Sequence, residues 1–202
     1  MEPLAPSRLV HFIATLDGIL ADYGPLDSAA PPAAFLERAA AALARLVAEG
    51  DWLPAPYRQP DPAFYQQYLL YLDPKERFSV VSFVWGPGQR TPIHDHQVWG
   101  MVGVLQGAEL CQNYAVQARG VAARGPARRL EKGDVEILSP VAGDIHRVEN
   151  AFHDRVSISI HVYGADIGRV RRWVYPIDAP RKPFVSGYGN KADNPPFALI
   201  AA

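Results

Sequence analysis

The chain has 202 residues, 49% of them apolar, with 20 basic and 21 acidic side chains and a net charge of −1. That is enough for one domain with a good core, and a near-neutral chain whose basic residues gather in no single arm gives no reason to expect a nucleic-acid partner. No apolar run has membrane length, Glu2, Pro3 and Pro6 stand where a signal peptide would begin, and the single cysteine, Cys111, excludes an intrachain disulfide, so a cytoplasmic location is expected.

Residues 8–22 carry Leu9, Val10, Phe12, Ile13, Leu16, Ile19 and Leu20 at helical spacing. Residues 33–49, rich in Ala, Leu, Arg and Glu, follow Pro31-Pro32 and stop at Gly50, which predicts a second helix. His11, in the first helix, reads as a packing or surface residue. Pro54, Pro56, Pro60 and Pro62 mark an irregular connection. Residues 63–71 suit a short helix or a first strand, and an extended chain is favoured from Gln67 onward because Tyr and Leu fit a pleated surface. From Phe78 the pattern becomes that of short strands, expected over 78–85, 98–105, 108–116, 128–132, 135–138, 146–149, 156–163 and 170–175, with a loop at 117–127. Such strands, punctuated by Gly and Pro, predict a sandwich or barrel. The expected organisation is one domain: a mostly helical extension (1–62), a β-barrel (63–175) and a tail (176–202) that wraps across it.

Two stretches carry chemistry. In Gly88-Gln89-Arg90-Thr91-Pro92-Ile93-His94-Asp95-His96 the two histidines lie two apart, so an extended backbone points both to one side. Neutral imidazoles in that arrangement suit a first-row divalent metal, although a His-x-His pair alone equally fits two surface or turn histidines. Gly100 and Gly107 follow, and about 50 residues later Gly133, Pro140, Gly143, His146 and Asn150 form a second turn-strand-histidine unit. In the second stretch, Arg155 to Tyr163, period two places Arg155, Ser157, Ser159, His161 and Tyr163 on one face and Val156, Ile158, Ile160 and Val162 on the other. The polar face reads either as solvent-exposed or as turned into a barrel. In the second case hydroxyl, imidazole and phenol stand at steps of about 7 Å.

The two histidine blocks resemble the two motifs of the cupin superfamily, Gly-x5-His-x-His-x3–4-Glu-x6-Gly and Gly…Pro-x-Gly-x2-His-x3-Asn. Gly100 stands where the pattern has Glu, and one extra residue separates Pro140 from Gly143. The resemblance implies a mainly β fold, a double-stranded β-helix (jelly-roll) barrel carrying the N-terminal helices. It also implies a metal site of three neutral imidazoles, His94, His96 and His146.

With Ser159-x-His161-x-Tyr163 added, the chain over roughly 64–173 is similar to the thiol dioxygenases, whose members include cysteine dioxygenase and 3-mercaptopropionate dioxygenase. This implies Fe(II) on the three histidines, an outer-sphere triad of Ser159, His161 and Tyr163, and a small thiol and O2 as reactants, with both oxygen atoms ending on sulfur as a sulfinic acid. Animal cysteine dioxygenases carry, at the position of Gly100, a Cys crosslinked to the triad Tyr, so Tyr163 is expected to be an unmodified phenol and Cys111 a small core residue. Aligning Tyr65-Gln66-Gln67 with the family's Tyr-x-Arg sets Gln67 where cysteine dioxygenases hold the substrate carboxylate, the mark of a Gln-type bacterial branch resembling 3-mercaptopropionate dioxygenase. A shift of one residue would put Gln66 there instead. Arg172 is the candidate for the carboxylate's charge, with Tyr163 as a further hydrogen-bond donor, although Arg169, Arg171 and Arg172 together also read as a solvated edge. Trp85 and Trp99 are expected to line the site or pack beneath it, and Tyr188, in an otherwise unexplained segment at 184–190, to reach toward it. Alternatives are cysteine or another thiol acid such as mercaptosuccinate as substrate and, from another class, a non-catalytic cupin that binds a ligand or metal. A monomer or small homo-oligomer is expected.

Overall fold

The computed structural model describes residues 3–118 and 120–199. Two helices, α1 (Ser7–Tyr23) and α2 (Ala33–Ala48), precede eleven strands. Each helix starts directly after a proline, Pro6 or Pro32, whose fixed φ suits the entry to a helix. No helix among the described residues is long and apolar enough to cross a membrane.

The strands are β1 (Gln66–Leu72), β2 (Ser79–Trp85), β3 (Gly100–Gln106), β4 (Ala108–Val116), β5 (Val121–Ala123), β6 (Arg128–Glu131), β7 (Val135–Leu138), β8 (His146–Asn150), β9 (Ser157–Tyr163), β10 (Arg172–Val174) and β11 (Lys182–Phe184). One sheet has the order β1-β2-β9-β3-β7. The other is built on β4, which pairs with β5, β6 and β8, and β10 pairs with β11; every pairing is antiparallel. The architecture is the expected one, a mainly β double-stranded β-helix with two helices at its N-terminal end.

Two apolar cores explain which way each strand faces. One lies between the helices and the outer face of the five-stranded sheet, where Leu9, Phe12, Leu16, Phe35, Leu43 and Val47 meet Val80, Val84, Met101, Ile158, Ile160 and Val162. The other fills the barrel with Leu69, Val81, Phe83, Trp85, Val104, Leu130, Val148 and Tyr163. Burying each large side chain stabilises the fold by about 1.5–3 kcal/mol. Helix α2 approaches β3 closely because Gly103 has no side chain: a Cβ there would stand 3.0 Å from Leu43 Cγ and Val47 Cγ1. With its apolar face covered by helices, β9 turns Ser157, Ser159, His161 and Tyr163 into the barrel, and all four are buried.

Some boundaries differ from the sequence expectation. The 117–127 loop contains the short strand β5, and the strand expected over 170–175 shrinks to Arg172–Val174. The strand expected from Val98 begins at Gly100. Before it, Gln97 adopts φ 62°, a left-handed turn that redirects the chain. Trp99 therefore packs edge-on against Phe35 of α2 (centroids 5.1 Å apart) in the helix-side core, not beneath the histidines.

Candidate metal centre and its side-chain row

His94 and His96 lie on the segment joining β2 to β3. An antiparallel bridge, in which His94 and His146 exchange both backbone N–H···O bonds (3.0 Å each), fastens that segment to the start of β8. The three imidazoles are buried, with ring centroids 4.8 to 5.0 Å apart and one candidate ligand atom from each within 4.8 Å of the others.

The second nitrogen of each ring is already engaged. Nδ1 of His94 faces Pro92 O (3.0 Å), Nδ1 of His96 faces Asp144 O (3.1 Å), and Nδ1 of His146 lies 3.4 Å from Cys111 Sγ. Donating Nδ1–H to a carbonyl leaves the Nε2 lone pair free, the usual outer support of a metal-binding histidine. His96 Nε2 is buried without any hydrogen-bond partner. Burial, and then the charge of Arg172, lower the His94 pKa to about 4. Burial and then the neighbouring imidazoles hold His96 and His146 well below the ordinary value. Three neutral imidazoles with converging free nitrogens, one of them orphaned, fit a first-row divalent cation. Among the described residues no carboxylate joins the set, and Gly100 occupies the position where the cupin pattern has Glu.

The acids next to these histidines have other tasks. Asp95 accepts hydrogen bonds from the Trp173 N–H (2.8 Å), the Tyr175 hydroxyl (2.8 Å) and the Gln97 amide (2.6 Å). Asp144 accepts the backbone N–H groups of His96 (2.9 Å) and Gln97 (3.1 Å). Neither role was anticipated from the sequence, although an acid between or beside candidate ligands is a signal worth reading.

Beside the cluster runs the row on β9. Ser159 Oγ is 2.9 Å from His161 Nε2, and His161 Nδ1 is 2.7 Å from the Tyr163 hydroxyl. The Trp85 indole donates to Ser159 Oγ (3.1 Å), and the Phe83 ring stacks on His161 (3.8 Å, 17°). The Tyr163 ring stacks on His96 (5.5 Å, 19°), so the row ends against the three histidines. Burial pushes the Tyr163 phenol up and the His161 imidazole down, which keeps both neutral.

Arg172 separates from its neighbours. Arg169 and Arg171 are exposed, whereas Arg172 is 3% exposed, its guanidinium 4.6 Å from the Phe184 ring. It donates to Ser186 Oγ (2.5 Å), and its Nε is buried without a partner. Burial lowers its pKa although Tyr163, Tyr65 and Asp95 pull the other way.

Gln66 and Gln67 both border a cleft formed with Tyr65, Ser186 and Tyr188. Strand register distinguishes them. Gln67 lies opposite Phe83, whose ring is in the barrel, and Gln66 lies opposite Val84, which faces the helices. The Tyr188 hydroxyl donates to Asp166 (2.6 Å) and accepts from Gly168 N–H (2.9 Å).

A profile described as cysteine dioxygenase type I matches residues 55–174, more than half of the chain. The chain belongs to the cysteine dioxygenase type I family. The matched region contains the three histidines, the β9 row, Gln67 and Arg172. Among solved structures, it is similar to an uncharacterized conserved protein with a double-stranded β-helix domain from Klebsiella pneumoniae (19% identity, 63% of this chain and 90% of that one, TM-score 0.42). It is also similar to an RmlC-like cupin from Desulfovibrio desulfuricans (18% identity, 52% and 87%, TM-score 0.41). A third likeness is to an oxalate oxidase in complex with glycolate (16% identity, 52% and 53%, TM-score 0.41). These three say nothing of this chain's substrate.

Proposed function

We propose that the protein is an Fe(II)-dependent thiol dioxygenase that converts a small thiol carboxylic acid, 3-mercaptopropionate in the first place, to its sulfinic acid, R–SH + O2 → R–SO2H. The observation that carries the reading is the stacking of Tyr163 on His96, which brings the Ser159–His161–Tyr163 row to the edge of the three-imidazole cluster. A metal-binding cupin without catalysis has no use for that row. His94, His96 and His146 would hold the metal. Bound there, ferrous iron would supply open coordination positions and the redox partner that O2 requires.

The chain's own residues do the remaining work. Arg172 holds the substrate carboxylate: it is the one buried Lys or Arg among the described residues, and its Nε has no protein partner. Gln67, on the barrel face of β1, adds an uncharged amide at the cleft, and Tyr163 offers its hydroxyl between the two ends of the substrate. The apolar walls, Phe83, Val81 and Val104, exclude water.

The same groups favour a thiol acid without an amine. An α-ammonium would need an acceptor, and Asp95 and Asp144 are already taken up by hydrogen bonds of their own. A second carboxylate, as in mercaptosuccinate, would need a second buried cation.

The test is to load the protein with ferrous iron without air and follow O2 uptake with 3-mercaptopropionate, cysteine, cysteamine and mercaptosuccinate. Uptake coupled to one sulfinate, with the highest kcat/KM for 3-mercaptopropionate, is expected. A higher kcat/KM for cysteine or mercaptosuccinate would reassign the substrate, and no thiol-dependent uptake with iron verifiably bound would overturn the activity.

A further inference from the structure

Glu109 is fully buried on β4, on the barrel side that it shares with Cys111. Its carboxyl lies beside the Ser159 hydroxyl and the Trp85 indole, yet neither oxygen closes a hydrogen bond. No cation among the described residues answers it. Trp85 faces it from β2, Ser159 from β9 and Cys111 from its own strand, and across the sheet it pairs with Leu130 of β6 and Asn150 of β8. The Asn150 amide is already bound to Trp85 O, Gly86 O and Arg155 O, and Arg128 of β6 is paired with Glu136 (2.5 Å). An ionised carboxylate in such a place is costly. Burial accordingly raises the Glu109 pKa to about 8, against the opposing pull of Ser159 and Trp85.

We propose that Glu109 is a fourth member of the row, a positioning residue that sets the direction of its hydrogen bonds and thereby whether Tyr163 turns its proton or its lone pair toward the histidine cluster. Ser159 Oγ has one proton to give and two lone pairs, one of which takes the Trp85 N–H. With Glu109 protonated, its O–H donates to Ser159, Ser159 donates to His161 Nε2, and His161 Nδ1–H donates to the Tyr163 oxygen. The phenol proton is then free to point into the site.

An ionised Glu109 can only accept. Ser159 then turns its proton to Glu109, His161 carries its proton on Nε2 and donates to Ser159, and Tyr163 donates inward to Nδ1. One proton has gone to solvent. The other three remain on Ser159, His161 and Tyr163, with the imidazole proton moved from Nδ1 to Nε2.

The direction of the row is independent of the reaction; only the statement of what Tyr163 meets rests on the thiol dioxygenase reading. The test is 15N NMR of the His161 ring in the full-length protein carrying zinc as a diamagnetic ion, with the signal assigned by its loss in His161→Asn. The wild type is expected to pass from the Nδ1–H to the Nε2–H tautomer as the pH rises through about 8. Glu109→Gln, which cannot ionise, is expected to keep one tautomer throughout. Infrared spectra of the wild type are expected to show a buried carboxylic acid C=O band at neutral pH that disappears over the same interval.

A wild-type His161 that keeps one tautomer, or a Glu109→Gln protein that still switches, overturns the proposal. Should the variant fail to fold, the wild-type tautomer and the infrared band decide alone. With iron and a thiol, the alkaline limb of kcat is expected in the wild type and not in Glu109→Gln. A tautomer switch without thiol-dependent O2 uptake refutes the activity and leaves the switch standing, whereas uptake without a switch refutes only the switch.

Discussion

Gly100 lies directly across the β3–β9 pair from Tyr163, and a Cβ at Gly100 would stand 2.9 Å from the phenol's Cδ1. The ring cannot yield freely, because it is buried and stacked on His96. Gly100→Ala is therefore expected to cost about 1–3 kcal/mol of stability, as overpacking does. It should also weaken the 2.7 Å bond between His161 and Tyr163. Urea unfolding and the His161 ring 15N shifts check the two effects separately.

Metal affinity should follow the three-histidine cluster and none of the side chains of the β9 row. His96→Ala and His146→Ala are expected to lose metal, measured as bound iron after anaerobic loading. His161→Asn should bind iron like the wild type and turn over roughly ten- to hundredfold more slowly, the loss of about 1–3 kcal/mol of hydrogen bonding. Loss of iron on changing His161 would place it among the ligands.

Arg172→Met separates binding from stability. The guanidinium is buried, with one nitrogen unpartnered, so replacing it with an apolar chain of similar length should leave the thermal midpoint unchanged or raise it. If Arg172 holds the carboxylate, KM should rise roughly ten- to 150-fold, the equivalent of about 1.5–3 kcal/mol for a charged hydrogen bond. A thermal midpoint that falls with KM unchanged would make Arg172 a structural residue.

Acid and alkali should weaken the metal-free protein through different groups. His94 titrates near 4 when folded against 6.5 in an unconstrained chain, and burial lowers His96, His146 and His161 as well. Above the unfolded value both states are neutral and stability is complete. As the pH falls below about 6.5 toward 4 the unfolded chain takes up protons that the folded chain refuses, and stability drops by about 1.4 kcal/mol per pH unit for each such histidine. Glu109 runs the other way. Its pKa is raised from 4.5 to about 8, so its contribution is complete below the lower value and is lost as the pH climbs to the higher one. Urea unfolding against pH is expected to show both slopes, with the Glu109 slope missing in Glu109→Gln.

The parts of the site that could be read from the sequence are those whose spacing matches a backbone period. Ser159, His161 and Tyr163 alternate with Ile158, Ile160 and Val162, and period two fixed their common face. What turned that face inward was the cover that α1 and α2 provide on the other side. His94, His96 and His146 were legible as two blocks, and the exchanged backbone bonds at His94 and His146 join them. Trp99 was misplaced because nearness in sequence to His96 says nothing of the left-handed turn at Gln97. Gln67 and Gln66 could not be told apart without the register against Phe83 and Val84. Glu109 reads as an ordinary strand acid, since only the pairing of β4 with β6 and β8 puts it inside, and the three-residue β5 carries too few residues for any period to show.

Asp95 stands between two candidate ligands, yet its carboxylate grips the far strand, taking the Trp173 N–H and the Tyr175 hydroxyl. It therefore pins the histidine segment to the strand that begins at Arg172. In the proposed complex the sulfur end and the carboxylate end of a substrate are anchored on these two pieces of backbone, and the pin makes the gap between them a gauge. A thiol acid one methylene shorter or longer would meet a fixed span that cannot stretch to suit it. Selection by chain length would then belong to a residue that touches neither the metal nor the substrate, and loosening it, as in Asp95→Ala, should blunt the discrimination between homologous thiol acids before it abolishes turnover.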